Sequence, residues 1–139
     1  MNAQGDEFSE KIEQGLSAKD ILLQVLERYK NEMMDAGGSL SVAIYEFFSS
    51  ESSKQNNALF RQYQKSYFMW KRLLEYGISR GEFNAVDIDA MFDLIVFSYQ
   101  GVRMYSTLMT IDERTPNHII SLIKTLLLPR RRRDRCHYS

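Results

Sequence analysis

The stretch LLEYGISRGEFNAVDIDAMFDLIV, residues 73–96, constrains the fold most. It runs apolar at helical spacing, halts at Gly81, turns through Glu82-Phe83-Asn84-Ala85 and restarts at Asp87. Arg80 falls in the last turn of the incoming helix, where a cation suits the dipole. Gly81 fits the left-handed position just past a helix end, which glycine reaches without the steric cost its neighbours would bear. Phe83 is expected to pack back on the apolar face and fix the corner. Asp87 is expected to cap the outgoing helix, with Asp89 in its first turn. That outgoing helix, read over about residues 88–109, is about 33 Å long at 1.5 Å per residue. Its first half is apolar nearly all round: Ala90, Met91, Phe92, Leu94, Ile95, Val96, Phe97 and Tyr99. A helix apolar on every side needs cover on every side. In a chain of 139 residues its own neighbours supply only part of that cover, and another chain is the natural source of the rest.

The remaining pattern is helical as well. There are two prolines, Pro116 and Pro129, no alternating strand runs between turn signals, and no internal repeat. A short amphipathic piece covers Phe8 to Gln14 and ends at Gly15. Ser17 reads as an N-cap with Asp20 at the third helical position. Ile21, Leu22, Val25, Leu26 and Tyr29 then form one apolar stripe that ends before Gly37-Gly38. A shorter helix is expected over Leu40 to Phe48, broken by the SSESSK segment at 49–54. The long helix from about Ser53 to Ser79 carries Leu59/Phe60, Tyr63, Tyr67, Trp70, Leu74 and Ile78 on one stripe. The last helix is read with Thr115 as cap and Pro116 at its first position. It bears Ile119, Ile120, Leu122, Ile123, Leu126 and Leu127, and Pro129 ends it. Ser98 and Gly101 permit close helix approach, Gly101 at a cost of about 1 kcal/mol in helix propensity relative to Ala. The expected fold is all-α, a bundle of about five to six helices. The last two form half of a four-helix bundle completed by a second copy, a homodimer.

Composition bounds the function. Hydrophobic residues make up 44% and charged residues 26% of the chain, as in a soluble globular domain. No apolar run approaches the roughly 20 residues of a membrane span, and the polar, acidic start MNAQGDEFSEK is not a secretory signal. A single cysteine, Cys136, rules out an internal disulfide framework. The cytoplasm is the expected compartment, and no membrane partner is expected. The net charge is zero, but the last ten residues, RRRRDRCHYS, hold five Arg against one Asp. The rest of the chain is therefore mildly acidic, an unfavourable surface for nucleic acid.

The segment LLEYGISRGEFNAVDIDAMFDLIVFSYQGVRMY resembles the regulatory domain of TetR-type bacterial transcriptional regulators. There a long helix ends in a Gly-x-x-x-Gly-Glu-Phe motif, here Gly77 to Phe83. A short loop with an acidic cap follows, here Val86-Asp87-Ile88-Asp89, and then an apolar helix with a small residue near its middle, here Gly101. The resemblance is specific over residues 59–128 and architectural over 17–50. It implies that residues 1–129 are a ligand-binding and dimerisation domain; the basic tail at 130–139 departs from the family pattern and, following a helix-ending proline, is expected to be disordered. The resemblance also implies that the last two helices, 88–109 and 116–128, make the dimer, and that the preceding helices enclose a small, often apolar effector. Occupancy of that pocket would then change the spacing of DNA-binding heads, as in a repressor. The helix-turn-helix head of the family is not seen here, so DNA would be met only through a domain this sequence does not contain.

Candidate effector-binding residues are Met33, Tyr45, Phe48, Phe60, Tyr63, Tyr67, Trp70 and Tyr99, with Met34 and Met104 in the same aromatic and methionine set. Aromatic rings bring apolar area, and Tyr or Trp adds a polar handle. The competing reading of each is ordinary core. Candidate dimer residues are Phe92, Ile95, Tyr99, Gly101, Val102, Ile119, Ile123 and Leu127, again with intramolecular core as the alternative, because a helix apolar all round does not reveal its orientation. A helical adaptor using the same apolar surface for a different protein is the alternative function.

Catalysis has little support. There is no nucleophile elbow, no His pair at ligand spacing and no Gly-rich phosphate loop after a strand. Asp89 and Asp93 share a helix face but lack a nearby His and read as dipole-compensating charges. The arginine run reads as a solvated tail rather than a phosphate- or membrane-binding patch. Cys136-His137 is too sparse for a metal site. No cofactor, no metal and no enzymatic activity are expected.

Overall fold

The computed structural model describes residues 3–34, 58–106 and 108–130. Within them lie five helices and no strand: α1 (Ala3–Glu13), α2 (Ala18–Met34), α3 (Ala58–Ser79), α4 (Ile88–Tyr105) and α5 (Arg114–Leu127). The helix expected over Leu40 to Phe48, the start of the long helix at Ser53, and the tail beyond Arg130 lie outside the described residues.

Two of the helix ends are glycine stops of the same design. At the end of α1, Gly15 has φ +86°; its amide bonds the Ile12 carbonyl at 3.0 Å, and the Leu16 amide reaches back to Lys11 at 3.2 Å. At the end of α3, Gly81 has φ +75°. Its amide bonds Ile78 at 3.1 Å, and the Glu82 amide bonds Gly77 at 2.9 Å. This paired return of two amides onto the last carbonyls is the Schellman arrangement, which needs a residue tolerant of the left-handed region.

Helix starts follow the local chemistry. Ser17 Oγ accepts from the Asp20 amide at 3.0 Å and Asp87 Oδ1 from the Ala90 amide at 3.0 Å, the two side-chain caps expected. The last helix differs from expectation. It begins at Arg114, not at Pro116, and Asp112 Oδ1 accepts from the Arg114 amide at 2.8 Å. Thr115 is therefore helical and not the cap, while Pro116 still sits in the first turn, where a missing N–H costs nothing. Leu128 is extended, ψ 131°, as the residue before a proline prefers. Helix α4 stops at Tyr105, four residues short of the expected Met109, and the chain turns there with the Leu108 and Met109 amides both on the Tyr105 carbonyl at 2.9 Å.

The central element is α2, which packs against all four other helices. Its buried row is Ala18, Ile21, Leu22, Val25, Leu26, Tyr29 and Met33. Onto this row pack Met69, Trp70, Leu73 and Leu74 of α3, Met91, Phe92, Ile95 and Val102 of α4, and Ile120, Ile123 and Leu127 of α5. Phe8 of α1 closes one end by meeting the Trp70 ring edge-on at 5.8 Å. None of the described helices is long and apolar enough to cross a membrane.

Candidate effector site and dimer faces

The corner between α3 and α4 explains why its residues are what they are. A Cβ built at Gly77 would lie 2.2 Å from the Phe83 ring, so only glycine leaves room for Phe83 to fold back over α3. Phe83 is thereby buried. Glu82 reaches across the bundle, and its Oε1 accepts from the Lys19 amide at 3.0 Å, closing the N-terminus of α2, while its Oε2 takes the Arg80 Nε at 2.7 Å. Burial alone would push the Glu82 carboxyl up; the bonds from Arg80 and from the Lys19 and Ala18 amides outweigh it and hold the group below the ordinary glutamate range. Asn84 serves the opposite kind of helix end. Its amide donates to the Leu127 carbonyl at 2.7 Å and its Nδ2 to Leu126 and Leu128 at 3.0 and 3.4 Å, which occupies the orphan carbonyls at the end of α5.

Between α2, α3 and α4 lies a polar cluster set in aromatic rings. Trp70 Nε1 donates to Tyr29 Oη at 3.3 Å, and the Tyr29 ring stacks on Tyr99 at 4.3 Å between centroids. The Tyr99 hydroxyl donates to the Glu32 carboxylate. Arg103 donates to Tyr99 Oη at 3.3 Å. The guanidinium groups of Arg103 and Arg28 lie 5.4 and 5.8 Å from the Tyr99 and Tyr29 ring centres, and each stands 4.0 Å from a Glu32 oxygen. Burial, and after it the carboxylate of Glu32, raises the Tyr99 pKa well above its ordinary value. The arrangement brings apolar ring faces together with a few oriented hydrogen-bonding groups.

The candidate effector residues separate into two groups. Met33, Trp70 and Tyr99 belong to this inner cluster or to the core beside it. Tyr63 and Tyr67 instead form an outer row, each with its ring 5.4 Å from Phe92. The Tyr67 hydroxyl donates to Asp89 at 2.6 Å, a bond that raises its pKa and gives Asp89 a structural partner. Phe60 is 56% exposed and stacks on Tyr63 at 6.4 Å. Tyr45 and Phe48 lie outside the described residues. Tyr29, Glu32, Arg28 and Arg103 were missed by sequence reasoning. The signal that could have found them is the i, i+4 pairing of Arg28 with Glu32 and of Tyr99 with Arg103, along the edges of two apolar stripes.

The candidate dimer residues fall mainly inside the protomer. Phe92, Ile95, Val102, Ile123 and Leu127 are buried by their own chain, and Tyr99 is engaged in the inner cluster, so these positions have little surface to give a second copy. Gly101 and Ile119 are half-buried, and a Cβ at Gly101 would meet nothing within 4 Å. The surface that α4 and α5 do leave open is a different apolar row on each. On α4 it comprises Leu94, Phe97 at 61% exposure, and Tyr105; on α5 it comprises Leu122 at 53% and Leu126. Residues 94, 97, 101 and 105 share one helical face, as do 119, 122 and 126. Among the described residues no group of three or more His, Cys, Asp or Glu side chains is placed to hold a metal ion.

Among the described residues the fold is all-α, with a glycine-stopped corner followed by two consecutive helices that carry apolar rows outward. The family model described as Tetracyclin repressor-like, C-terminal domain, matches residues 21–116. That is well over half of the chain, and the chain belongs to that family. No curated protein and no solved structure matches it.

Proposed function

We propose that this chain is the ligand-sensing and dimerisation domain of a TetR-type transcriptional regulator in the cytoplasm. The observation that carries the reading is the outward apolar face of α4 and α5, exposed on the two helices that follow the Gly-Glu-Phe corner. Large apolar side chains in a row at helical spacing call for a partner surface, and family membership supports a second copy as that partner. Leu94, Phe97, Gly101, Tyr105, Ile119, Leu122 and Leu126 would meet across the dimer axis. Phe92, Ile95, Val102, Ile123 and Leu127 would support that face from beneath.

The effector would enter the aromatic cluster between α2, α3 and α4. Tyr29, Trp70 and Met33 supply apolar area there, and Tyr99, Glu32 and Arg103 supply orientation. Binding that favours one arrangement of the helices over another shifts the dimer only as far as its differential affinity allows. DNA would be contacted by a helix-turn-helix domain outside this sequence.

Light scattering behind size exclusion tests the dimer. A stable dimer that Phe97→Arg and Leu122→Arg convert to a folded monomer is expected. A wild-type chain that stays monomeric at high concentration would sink the homodimer and bring forward a helical adaptor that binds a different protein. For the pocket, a thermal-shift screen with small aromatic and aliphatic compounds should give hits that Tyr99→Phe weakens. Hits that Tyr99→Phe leaves unchanged would place the effector elsewhere.

A further inference from the structure

We infer that the corner at residues 82–84 is a mechanical coupler: it locks the first turn of α2 to the last turn of α5, so that the two helix ends shift together. Three consecutive residues carry three different attachments. Glu82 accepts from the Lys19 amide at the start of α2, at 3.0 Å. Asn84 donates from its backbone and its side chain to the carbonyls at the end of α5, at 2.7 to 3.4 Å. Phe83, between them, is 3% exposed, keyed over Gly77, with its amide on the Gly77 carbonyl at 3.1 Å. Adjacent residues in an extended or turning chain are only about 3.8 Å apart, so neither clamp can travel without dragging the other or unseating the Phe83 ring. A side chain ring held in a slot has discrete seatings rather than a continuous range, which makes the corner a lever and not a spring.

Both clamps match the helix end they hold. A carboxylate faces the positive N-terminus of α2, and an amide N–H faces the negative C-terminus of α5. Arg80 fixes the carboxylate by a bond of 2.7 Å. The consequence for regulation rests on the proposed function: α2 supplies Tyr29, Glu32 and Met33 to the effector cluster and α5 supplies Leu122 and Leu126 to the dimer face, so the corner would carry a movement of one to the other. The coupling itself needs no effector and is tested without one.

Helices α2 and α5 also touch directly, so the test must separate the corner from that packing. Hydrogen exchange of the whole chain does so with three variants. Glu82→Ala removes one clamp, Asn84→Ala the other, and Ser17→Ala loosens the start of α2 through its other cap without touching the corner. In Glu82→Ala, amides near 19–20 and those near 126–128 are both expected to exchange about fivefold faster or more, the scale of one lost hydrogen bond. Asn84→Ala should produce the reciprocal pattern, and Glu82→Gln a weaker version of the first. Ser17→Ala should speed exchange at the start of α2 alone. Effects confined to each variant's own helix end would overturn the coupling. So would a Ser17→Ala variant that loosens α5 as much as Glu82→Ala does, because direct packing would then be the carrier. If the coupling holds while the chain proves monomeric, the regulatory reading fails and the lever stands.

Discussion

Helices α2 and α4 differ in composition and in burial, and the two differences run in opposite directions. Helix α2 mixes charged and apolar residues along its length, yet seven of its seventeen residues are buried. Helix α4 is far more apolar and buries four of eighteen. The difference is position. Every other helix packs on α2, so its one stripe is covered from several sides. Helix α4 packs on α2, α3 and α5, yet its surplus of Leu94, Phe97 and Tyr105 points out. Apolar content therefore measures how much cover a helix requires, and the bundle decides how much of that cover comes from within the same chain.

The sharpest way to break the comparison is to remove the same atoms from both helices. Leu26 in α2 is fully buried, and Leu26→Ala should cost about 2–5 kcal/mol. At concentrations where the chain is monomeric, Leu94→Ala in α4 should cost under about 1 kcal/mol. Urea unfolding followed by circular dichroism measures both, and equal losses would mean that α4 is as central as α2. Next in size is Gly77→Ala. The added methyl would collide with the Phe83 ring, and overpacking of this kind costs about 1–3 kcal/mol. Because the clash is with one ring, the double variant Gly77→Ala/Phe83→Leu should lose less than the sum of the two singles.

The caps come third. Ser17→Ala at the start of α2 and Asp87→Ala at the start of α4 should each cost about 1 kcal/mol. If both caps are local devices, the two losses add in the double variant, since they serve the starts of two different helices. The smallest effect is expected in acid. Glu82 is held below the ordinary glutamate pKa of about 4.3. Its contribution is therefore present above that value and lost as pH falls through the lower, folded-state value. A stability profile from neutral to strongly acidic pH should show wild type and Glu82→Gln converging in acid, below the ordinary glutamate range. A constant gap across the whole range would show that Glu82 remains ionised or contributes nothing through its charge.

The same contrast explains what could be read from the chain before its fold was seen. The glycine stops, the Ser17 and Asp87 caps and the stripe through Ile21, Leu22, Val25, Leu26 and Tyr29 depend on residues within four positions of one another, and local chemistry suffices. Orientation is another matter. In α4 Phe92 and Leu94 are equally apolar, and only the packing of the neighbouring helices makes the first core and the second surface. That is why Ile95 and Ile123, natural choices for disrupting a dimer, are positions whose replacement by Arg would damage the protomer itself. The inner cluster was least visible, because Tyr99 and Glu32 are 67 residues apart. Asn84 likewise finds its partners 42 and 44 residues downstream. Nothing in the neighbourhood of a polar residue announces a partner that distant.

Trp70 is the single tryptophan of the chain, and it is almost wholly shielded from solvent. It stands where α1, α2 and α3 converge, with Phe8 and Tyr29 edge-on to its indole and its N–H on the Tyr29 hydroxyl. The protein thus carries its own optical reporter. Emission excited at the red edge comes from one known site, one hydrogen bond away from the Tyr29–Tyr99 stack. A colour shift of that emission registers a change in the polarity or hydrogen bonding of the inner cluster, with no dye or label introduced.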